Sequence, residues 1–404
     1  MKLKLVSIGP GGREQMSVAA VNAVLGADCL IGAPRLLDTF SDSGAPAVPL
    51  ITAKEIAAFT ESHPTYRSIC VLLSGDAGFY SGAKKLAEQL GPRQVEILPG
   101  ISSVSCFAAR LQTPWQDWHL VSAHGVECDI VSHVANYEKT FVLTGGKITP
   151  AILCGQLLQA GLGEVLAFAG ENLSYETERV VSGTAEELAQ MEFAPLSVLL
   201  LVNQSVRHRE EPVTFGLPDT EFVRGEVPMT KSEVRSVILS KLRVCPHDIV
   251  WDVGAGTGSV SVELALAARF GKVYAVECSQ EGCGLISQNA ARFSLHNLYL
   301  TRGMAPQACG ELPAPDAAFI GGSKGNLEEI LQLLKEKNPR VRVCISAITI
   351  ETVSQALEAL GKLGFERIEA VQVSIAKTKR AGRSNLLMAN NPVFVISAFG
   401  RDDG

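Results

Sequence analysis

Aromatic residues are scarce in this chain of 404 residues, 6% of the total, and charged residues supply only 19%, with a formal net charge of −6. A protein that grips nucleic acid through a basic surface and stacking rings carries more of both, so no nucleic acid is expected as a partner. Long apolar runs are missing too. The longest, around Leu196 to Val202, has the length of a strand and falls short of the ~18 to 20 residues of a membrane helix, so no membrane association is expected. MKLKLVSIGP enters a strand-like run directly, without an apolar leader or small-residue cleavage site, and a cytoplasmic location is the expectation. Cysteine occurs ten times, scattered mostly through apolar runs and never as C-x-x-C, and the seven histidines are equally dispersed. Neither a disulfide framework nor a metal site is indicated, and even the closest pair, Cys278 and Cys283, reads as packing.

What the chain has in quantity is apolar residue, 47%, enough for a core throughout, and at ~150 residues per domain its length holds two or three domains. Up to position 205 there are 13 basic against 20 acidic residues, and after it 23 against 22. The acidic surplus therefore belongs to the first half, a hint of two separately built units. That half alternates short Val/Ile/Leu runs with helical patterns: LKLVSIG, CLIG, ICVLLSG, VEILPG, HLVSAHG, TFVLTGG and EVLAFAG, then LSVLLLVN. Strand, glycine turn and helix in repetition predict an α/β domain over 1–205 with ligand-facing loops at the carboxyl ends of its strands. Charge and the prolines at 212, 218 and 228 then break the pattern, which predicts a linker over 206–227.

A second doubly wound α/β domain is predicted over 228–404. TKSEVRSVILSKL reads as its first helix, with Thr230 or Ser232 as N-cap and Val234, Val237, Ile238 and Leu242 on the apolar side. The strand IVWDV follows, then the loop Gly254, Ala255, Gly256, Thr257 and Gly258, which opens a helix. Small residues there let backbone approach a ligand closely. Glu277 closes the next strand, VYAVE, at the spacing that suits ribose hydroxyls. Loop and acid together predict a nucleoside site. Near the carboxyl end, KTKRAGRSNLLMANNP separates the last strands without a clear helix, which predicts an antiparallel edge hairpin.

The form G-A-G-T-G preceded by Asp252 resembles the class I S-adenosyl-L-methionine-dependent methyltransferases, whose ligand has no pyrophosphate to cradle. With PMTKSEVRSVILSKL, APDAAFIGGSKGNLEEIL, SAITIETVSQALEAL, VQVSIAKTKRAG and ANNPVFVI included, the stretch from Pro228 to about Phe399 resembles the decarboxylating methyltransferases of corrin biosynthesis that alkylate carbon 15. That resemblance implies cofactor contacts from Thr230 and the 254–258 loop, ribose contacts from Glu277 and adenine contacts around Ala305. Met304 departs from it, standing where relatives are expected to carry an acid.

In the first half VSIGPGG, LLSGDAGFYSGAKKL and LPGISSVSCFAARL, with ENLSYETERVVSGTAEEL and PLSVLLLVN behind them, resemble the tetrapyrrole methylase family, and within it the members that act at carbon 5. The resemblance implies a two-lobed fold with the active site in the cleft, and places Pro10, Gly75, Asp76, Ser102 and Ser103 around cofactor or substrate. Asp76 is a candidate catalytic carboxylate or an Asx-turn residue closing its own loop. His124, Glu171, Tyr175 and Glu178 are candidates for the cleft mouth, or a strand-end histidine and a solvated loop.

Alkylating an electron-rich ring carbon is mostly a matter of positioning, so the absence of a catalytic triad is no objection. Removing carbon dioxide from a ring acetate asks the protein to orient the acetate and manage a proton. Lys231, Glu233 and Arg235 on the first helix of the second domain are candidates for that, with substrate contacts from Gly321, Gly322 and Ser323 after the strand AAFI. Lys377, Lys379, Arg380 and Arg383 are either a clamp for the substrate's carboxylates or a solvated hairpin tip. The whole chain then resembles a bifunctional corrin-pathway methyltransferase acting on a small-molecule precorrin, with S-adenosyl-L-methionine as its only cofactor, and relatives of both domains imply a homo-oligomer. Two other readings stand beside it: a class I RNA methyltransferase with an accessory domain, and one active methyltransferase joined to a non-catalytic tetrapyrrole carrier.

Overall fold

The glycine-ended apolar runs of the first half are strands. In a computed structural model of the chain, which describes residues 2–90, 95–125, 128–206 and 215–401, two units separate at Val206 and Arg207. The first holds two five-stranded sheets. β1 (Lys2–Ser7), β2 (Cys29–Ile31), β3 (Ala47–Val48), β4 (Ser68–Leu73) and β5 (Val95–Leu98) are all parallel in the order β3-β2-β4-β1-β5. With helices on both faces, β1 and β4 bury nearly every side chain, which is why they read as continuous apolar runs rather than alternating ones.

The second sheet contains β6 (His119–Ser122), β7 (Lys139–Leu143), β8 (Leu166–Glu171), β9 (Arg179–Thr184) and β10 (Ser197–Val202), ordered β6-β7-β10-β8-β9. Only β6 and β7 are parallel; β10 runs antiparallel to β7 and β8, and β8 to β9. β3 and β9 lie outside the predicted strands. Each is an edge strand with little buried apolar surface, so neither carries the apolar run by which a strand is recognised.

The second unit is built on one seven-stranded sheet. β11 (Ile249–Val253), β12 (Lys272–Glu277), β13 (Leu298–Arg302), β14 (Ala317–Ile320), β15 (Arg342–Ala347), β16 (Glu366–Val373) and β19 (Val393–Phe399) lie in the order β13-β12-β11-β14-β15-β19-β16. β19 is antiparallel to both neighbours. As expected, the last strands pair antiparallel at the edge of the sheet: β16 is the edge strand and β19 lies inside it, with Val395 and Ile396 buried. The segment between β16 and β19 forms its own two-stranded ribbon, β17 (Ala376–Ala381) with β18 (Ser384–Ala389), exposed along its whole length. β13, unpredicted, is the other edge.

Part of the predicted linker belongs to this unit as well. Residues 207–214 lie outside the described residues, but from 215 onward the segment is stitched down. Glu263 accepts the backbone N–H groups of Gly216 (2.6 Å) and Leu217 (3.1 Å), and Asn289 pairs with both backbone groups of Val223. Phe222 is buried against Phe293 and Val262. At the centre lies Arg235, with no exposed surface. Its guanidinium donates to Glu263 (2.6 Å), Asp219 (2.9 Å) and the carbonyls of Thr230 and Leu217, and stacks over Phe222 at 4.6 Å. Asp219 also accepts the N–H of Ser232, so the first helix, Ser232–Leu242, has Lys231 at its N-cap position and takes its capping carboxylate from the segment read as linker. Neither Thr230 nor Ser232 caps it. Val234, Ile238, Leu239 and Leu242 fill the core as the spacing requires, with Val237 packed against it.

Asp252, on β11, is wholly buried and accepts a hydrogen bond from Ser261 on the helix Ser259–Ala267. Burial pushes its carboxyl up to about 7; the Ser261 bond works against that and the nearby charge of Glu277 adds to it.

Arg235→Met strands a buried Glu263 carboxylate and lowers the unfolding free energy by about 3 to 5 kcal/mol in urea denaturation. Adding Glu263→Gln recovers part of the loss; full stability in the single variant would show the cluster to be idle. For Asp252, folding takes up a proton between the unfolded value near 3.8 and the folded value of about 7, so wild-type stability falls as pH rises through that window. Asp252→Asn removes the effect. Its melting temperature relative to wild type is expected to rise from pH 4 to pH 8, and a pH-independent difference would refute the assignment.

Candidate functional site

In the first unit the loops after β1, β4 and β5 converge at the carboxyl ends of the strands. Gly9 and Gly75 exchange backbone hydrogen bonds (3.1 and 2.8 Å), both at positive φ. Gly100 packs on this bridge so closely that a Cβ there would lie 2.6 Å from the Gly75 carbonyl oxygen and 2.8 Å from the Ser7 Cβ. These loops form one wall of a cavity of 230 Å³, and the second sheet, through His124, Thr144, Gly170 and Ser197 among others, forms the opposite wall.

Pro10, Gly75, Asp76 and Ser103 all line this cavity. Ser102 does not; it is the N-cap of the helix Ser103–Arg110, accepting the N–H of Ser105. Asp76 is committed locally: one oxygen accepts the N–H of Gly78 and the other that of Gly100, both at 3.2 Å. The Asx-turn reading therefore describes how it is held, with a bridge to the third loop added, and each oxygen keeps a lone pair on the cavity wall. Glu171 is buried and bound by Arg179 and the N–H of Ala194 (2.5 Å), and Glu178 is held by Arg110 (2.5 Å) and the N–H of Ser174 (2.6 Å). Neither carboxylate is free to act in the cleft. Tyr175 reaches it indirectly, its hydroxyl 2.8 Å from Arg35, a cavity-lining residue to which no sequence motif points.

In the second unit the 254–258 loop lies between the ends of β11, β12 and β14. Gly254, Gly256 and Gly258 are all at positive φ, and a Cβ on Gly254 would come within 2.5 Å of the Gly322 carbonyl oxygen. Only glycine makes that approach. Glu277 braces the loop: one carboxylate oxygen accepts the N–H of Gly256 (2.8 Å), the other those of Cys278 (2.9 Å) and Ser279 (2.7 Å). The Cys278 thiol also points at the second oxygen (3.6 Å), whereas the first accepts only from Gly256 among the described residues and keeps a lone pair for a ligand hydroxyl. Beneath the loop, Asp252 Oδ1 and Thr257 Oγ1 are buried without a hydrogen-bond partner. Unpartnered polar atoms under a glycine cradle suit a polar nucleoside ligand that the surroundings do not otherwise replace. Ala305 is buried nearby, its carbonyl taken by Asn326 (3.1 Å) from the loop that carries Gly321, Gly322 and Ser323.

The decarboxylation candidates separate. Arg235 is removed by its burial and is corrected to a structural residue. Lys231 is exposed at the helix start, while Glu233, in the first turn of the same helix, pairs with Lys377 at 2.7 Å. Burial raises the Glu233 carboxyl, and the Lys377 ammonium outweighs this and holds it below its ordinary value. The four cations of the ribbon do not converge as one clamp. Strand alternation puts Lys377 and Lys379 on one face and Arg380 on the other, and Arg383 lies in the turn. Among the described residues only Lys377 of the four has an ion-pair partner. Ile348 and Ile350, beyond the end of β15, are three-quarters exposed and were not singled out, because isolated isoleucines in a sequence read as core.

Two family profiles match the chain: "Tetrapyrrole (Corrin/Porphyrin) Methylases" over residues 2–189 and "Precorrin methyltransferase domain" over residues 221–399. A protein of Pyrobaculum calidifontis named probable cobalt-precorrin-6B C(15)-methyltransferase (decarboxylating) is 43% identical over 46% of this chain and 96% of its own. The crystal structure of a precorrin-6Y C5,15-methyltransferase from Geobacter metallireducens GS-15 is 36% identical with a TM-score of 0.44, covering 47% of this chain and 99% of that one. The precorrin-6Y C(5,15)-methyltransferase [decarboxylating] of Sinorhizobium sp is 31% identical over 319 residues, 78% of this chain and 76% of its own, a match too long for either unit alone. On that match through both units, the chain belongs to the precorrin-6Y C(5,15)-methyltransferase (decarboxylating) family.

Proposed function

We propose that this chain is a bifunctional enzyme of corrin biosynthesis that methylates carbons 5 and 15 of a precorrin and decarboxylates the ring C acetate. The observation that carries the reading is the single match to a C(5,15) enzyme that runs through both units. Carbon 15 and the decarboxylation go to the second unit, whose relatives include separate C(15) enzymes; carbon 5 goes to the first. S-adenosylmethionine supplies the electrophilic methyl group in each.

In the second unit the backbone of residues 254–258 and the remaining lone pair of Glu277 hold the nucleoside, and Ala305 covers the adenine. Exposed Ile348 and Ile350 offer an apolar shelf for the face of the macrocycle. Lys231 and Lys377 attract the acetate carboxylate. When the carbon–carboxylate bond breaks, its electrons pass into the conjugated ring and a proton must reach the carbon left behind. Lys377 holds Glu233 ionised, so the mobile proton of the pair sits on the ammonium and Glu233 positions it. In the first unit Pro10, Gly75 and Ser103 line the space for cofactor and ring edge, while Asp76 keeps the loops closed on each other.

The test is mass spectrometry of the product from a precorrin substrate. Wild type is expected to add two methyl groups and release one carbon dioxide. Gly256→Arg, which fills the second unit's cradle, is expected to abolish the carbon 15 methylation and decarboxylation, and Gly75→Arg the carbon 5 methylation. A wild-type product with one methyl group would overturn the reading. Lys377→Met is expected to slow decarboxylation by about 10²- to 10⁴-fold, the range for losing a positioned proton donor. The 15-methylated, undecarboxylated ring should then accumulate; unchanged release of carbon dioxide would remove Lys377 from the chemistry.

A further inference from the structure

Arg35 follows β2 on the short helix Pro34–Asp38 and reaches into the first unit's cavity. Its two terminal nitrogens donate to Ser74 Oγ (3.0 Å), after β4, and to Tyr175 Oη (2.8 Å), between β8 and β9. It thus spans the mouth of the cleft from one sheet's loops to the other's. Both partners are neutral hydroxyls. The other arginines whose side chains cross between elements in this unit each meet a carboxylate: Arg13 with Asp42, Arg110 with Glu178, Arg179 with Glu171. For Arg35 the structure gives no carboxylate partner among the described residues. The titratable groups lining the same cavity are Asp76, whose oxygens each accept a backbone N–H, Tyr80, whose hydroxyl donates to the Leu120 carbonyl, and His124. The cavity therefore holds an exposed guanidinium fork that pairs with no carboxylate among the described residues, in a half-chain with seven more acidic than basic residues up to position 205.

We propose that Arg35 is the receptor for a peripheral carboxylate of the tetrapyrrole in the first unit, an assignment that rests on the function proposed above. A guanidinium presents two parallel N–H groups at the spacing of a carboxylate's oxygens, and exchanging neutral hydroxyls for a charged acceptor strengthens both bonds. The substrate then enters against an acidic background at the one fixed cation of the wall, and its ring edge is set relative to Ser103 and Gly75.

The experiment measures steady-state carbon 5 methylation of the 15-methylated, decarboxylated ring, together with calorimetric binding of S-adenosylhomocysteine, in the full chain and in Arg35→Gln and Arg35→Lys. For Arg35→Gln the KM for the ring is expected to rise about 10- to 100-fold, the loss typical of a charge-assisted bond, with kcat and S-adenosylhomocysteine affinity within about twofold of wild type. Arg35→Lys keeps the charge without the fork and should fall between. Added salt should raise KM in wild type more than in Arg35→Gln. An unchanged KM in Arg35→Gln overturns the proposal, and so does a rise matched by lost S-adenosylhomocysteine binding, which would make Arg35 a support of the cofactor cleft. Wild type that leaves carbon 5 unmethylated is a different failure, of the function itself, and takes this assignment with it.

Discussion

The contact on which both candidate sites depend is backbone against backbone at glycines on the carboxyl ends of parallel strands. In the first unit Gly9, Gly75 and Gly100 bring three loops together; in the second Gly254 lies against Gly322. A side chain at Gly100 or Gly254 would force the loops apart, since the modest play of a packed interior cannot absorb a Cβ at 2.5 to 2.6 Å from a carbonyl oxygen. The carboxylates Asp76 and Glu277 then lock these meetings by accepting N–H groups from the neighbouring loop. Each site is first a problem of backbone closeness and only then one of chemistry.

This explains which parts of the structure were legible. Loops such as GAGTG, SGDAGFY and PGISS announce themselves because close backbone approach demands small residues, and the strands feeding them are continuous apolar runs. The two-unit α/β architecture and the positions of the glycine loops that meet in each unit could therefore be read from the residues. Edge strands β3, β9 and β13 could not, since each buries too little apolar surface to leave a pattern. Roles of charged side chains were least legible. Arg235 shares a helix turn with Lys231 and looked catalytic, but its partners Asp219 and Glu263 lie 16 and 28 residues away, and only the fold shows that they bury it. Arg35, in turn, carries no motif at all; what marks it is a pair of neutral hydroxyl partners, Ser74 and Tyr175, in place of a carboxylate, a property of space rather than of sequence.

Charge is arranged to suit a polyanionic ring on a chain that is itself acidic. Most cations of the first unit that cross between elements are neutralised within the protein, and the ribbon β17–β18 divides its cations, Lys377 and Lys379 on one face and Arg380 on the other, instead of focusing them. What remains for a carboxylate is local and specific: Lys231 at the start of one helix, beside the Lys377–Glu233 pair, and Arg35 at the mouth of one cleft. A few placed cations discriminate between ring edges better than a diffuse positive field, which would attract the ring without orienting it.

The central claim is that both glycine-built sites are working cofactor sites in one chain. Titration calorimetry of S-adenosylhomocysteine against the intact protein tests it most directly. Two binding events per chain are predicted, carried by independent sites; a single event per chain would contradict the account and reduce one unit to a scaffold.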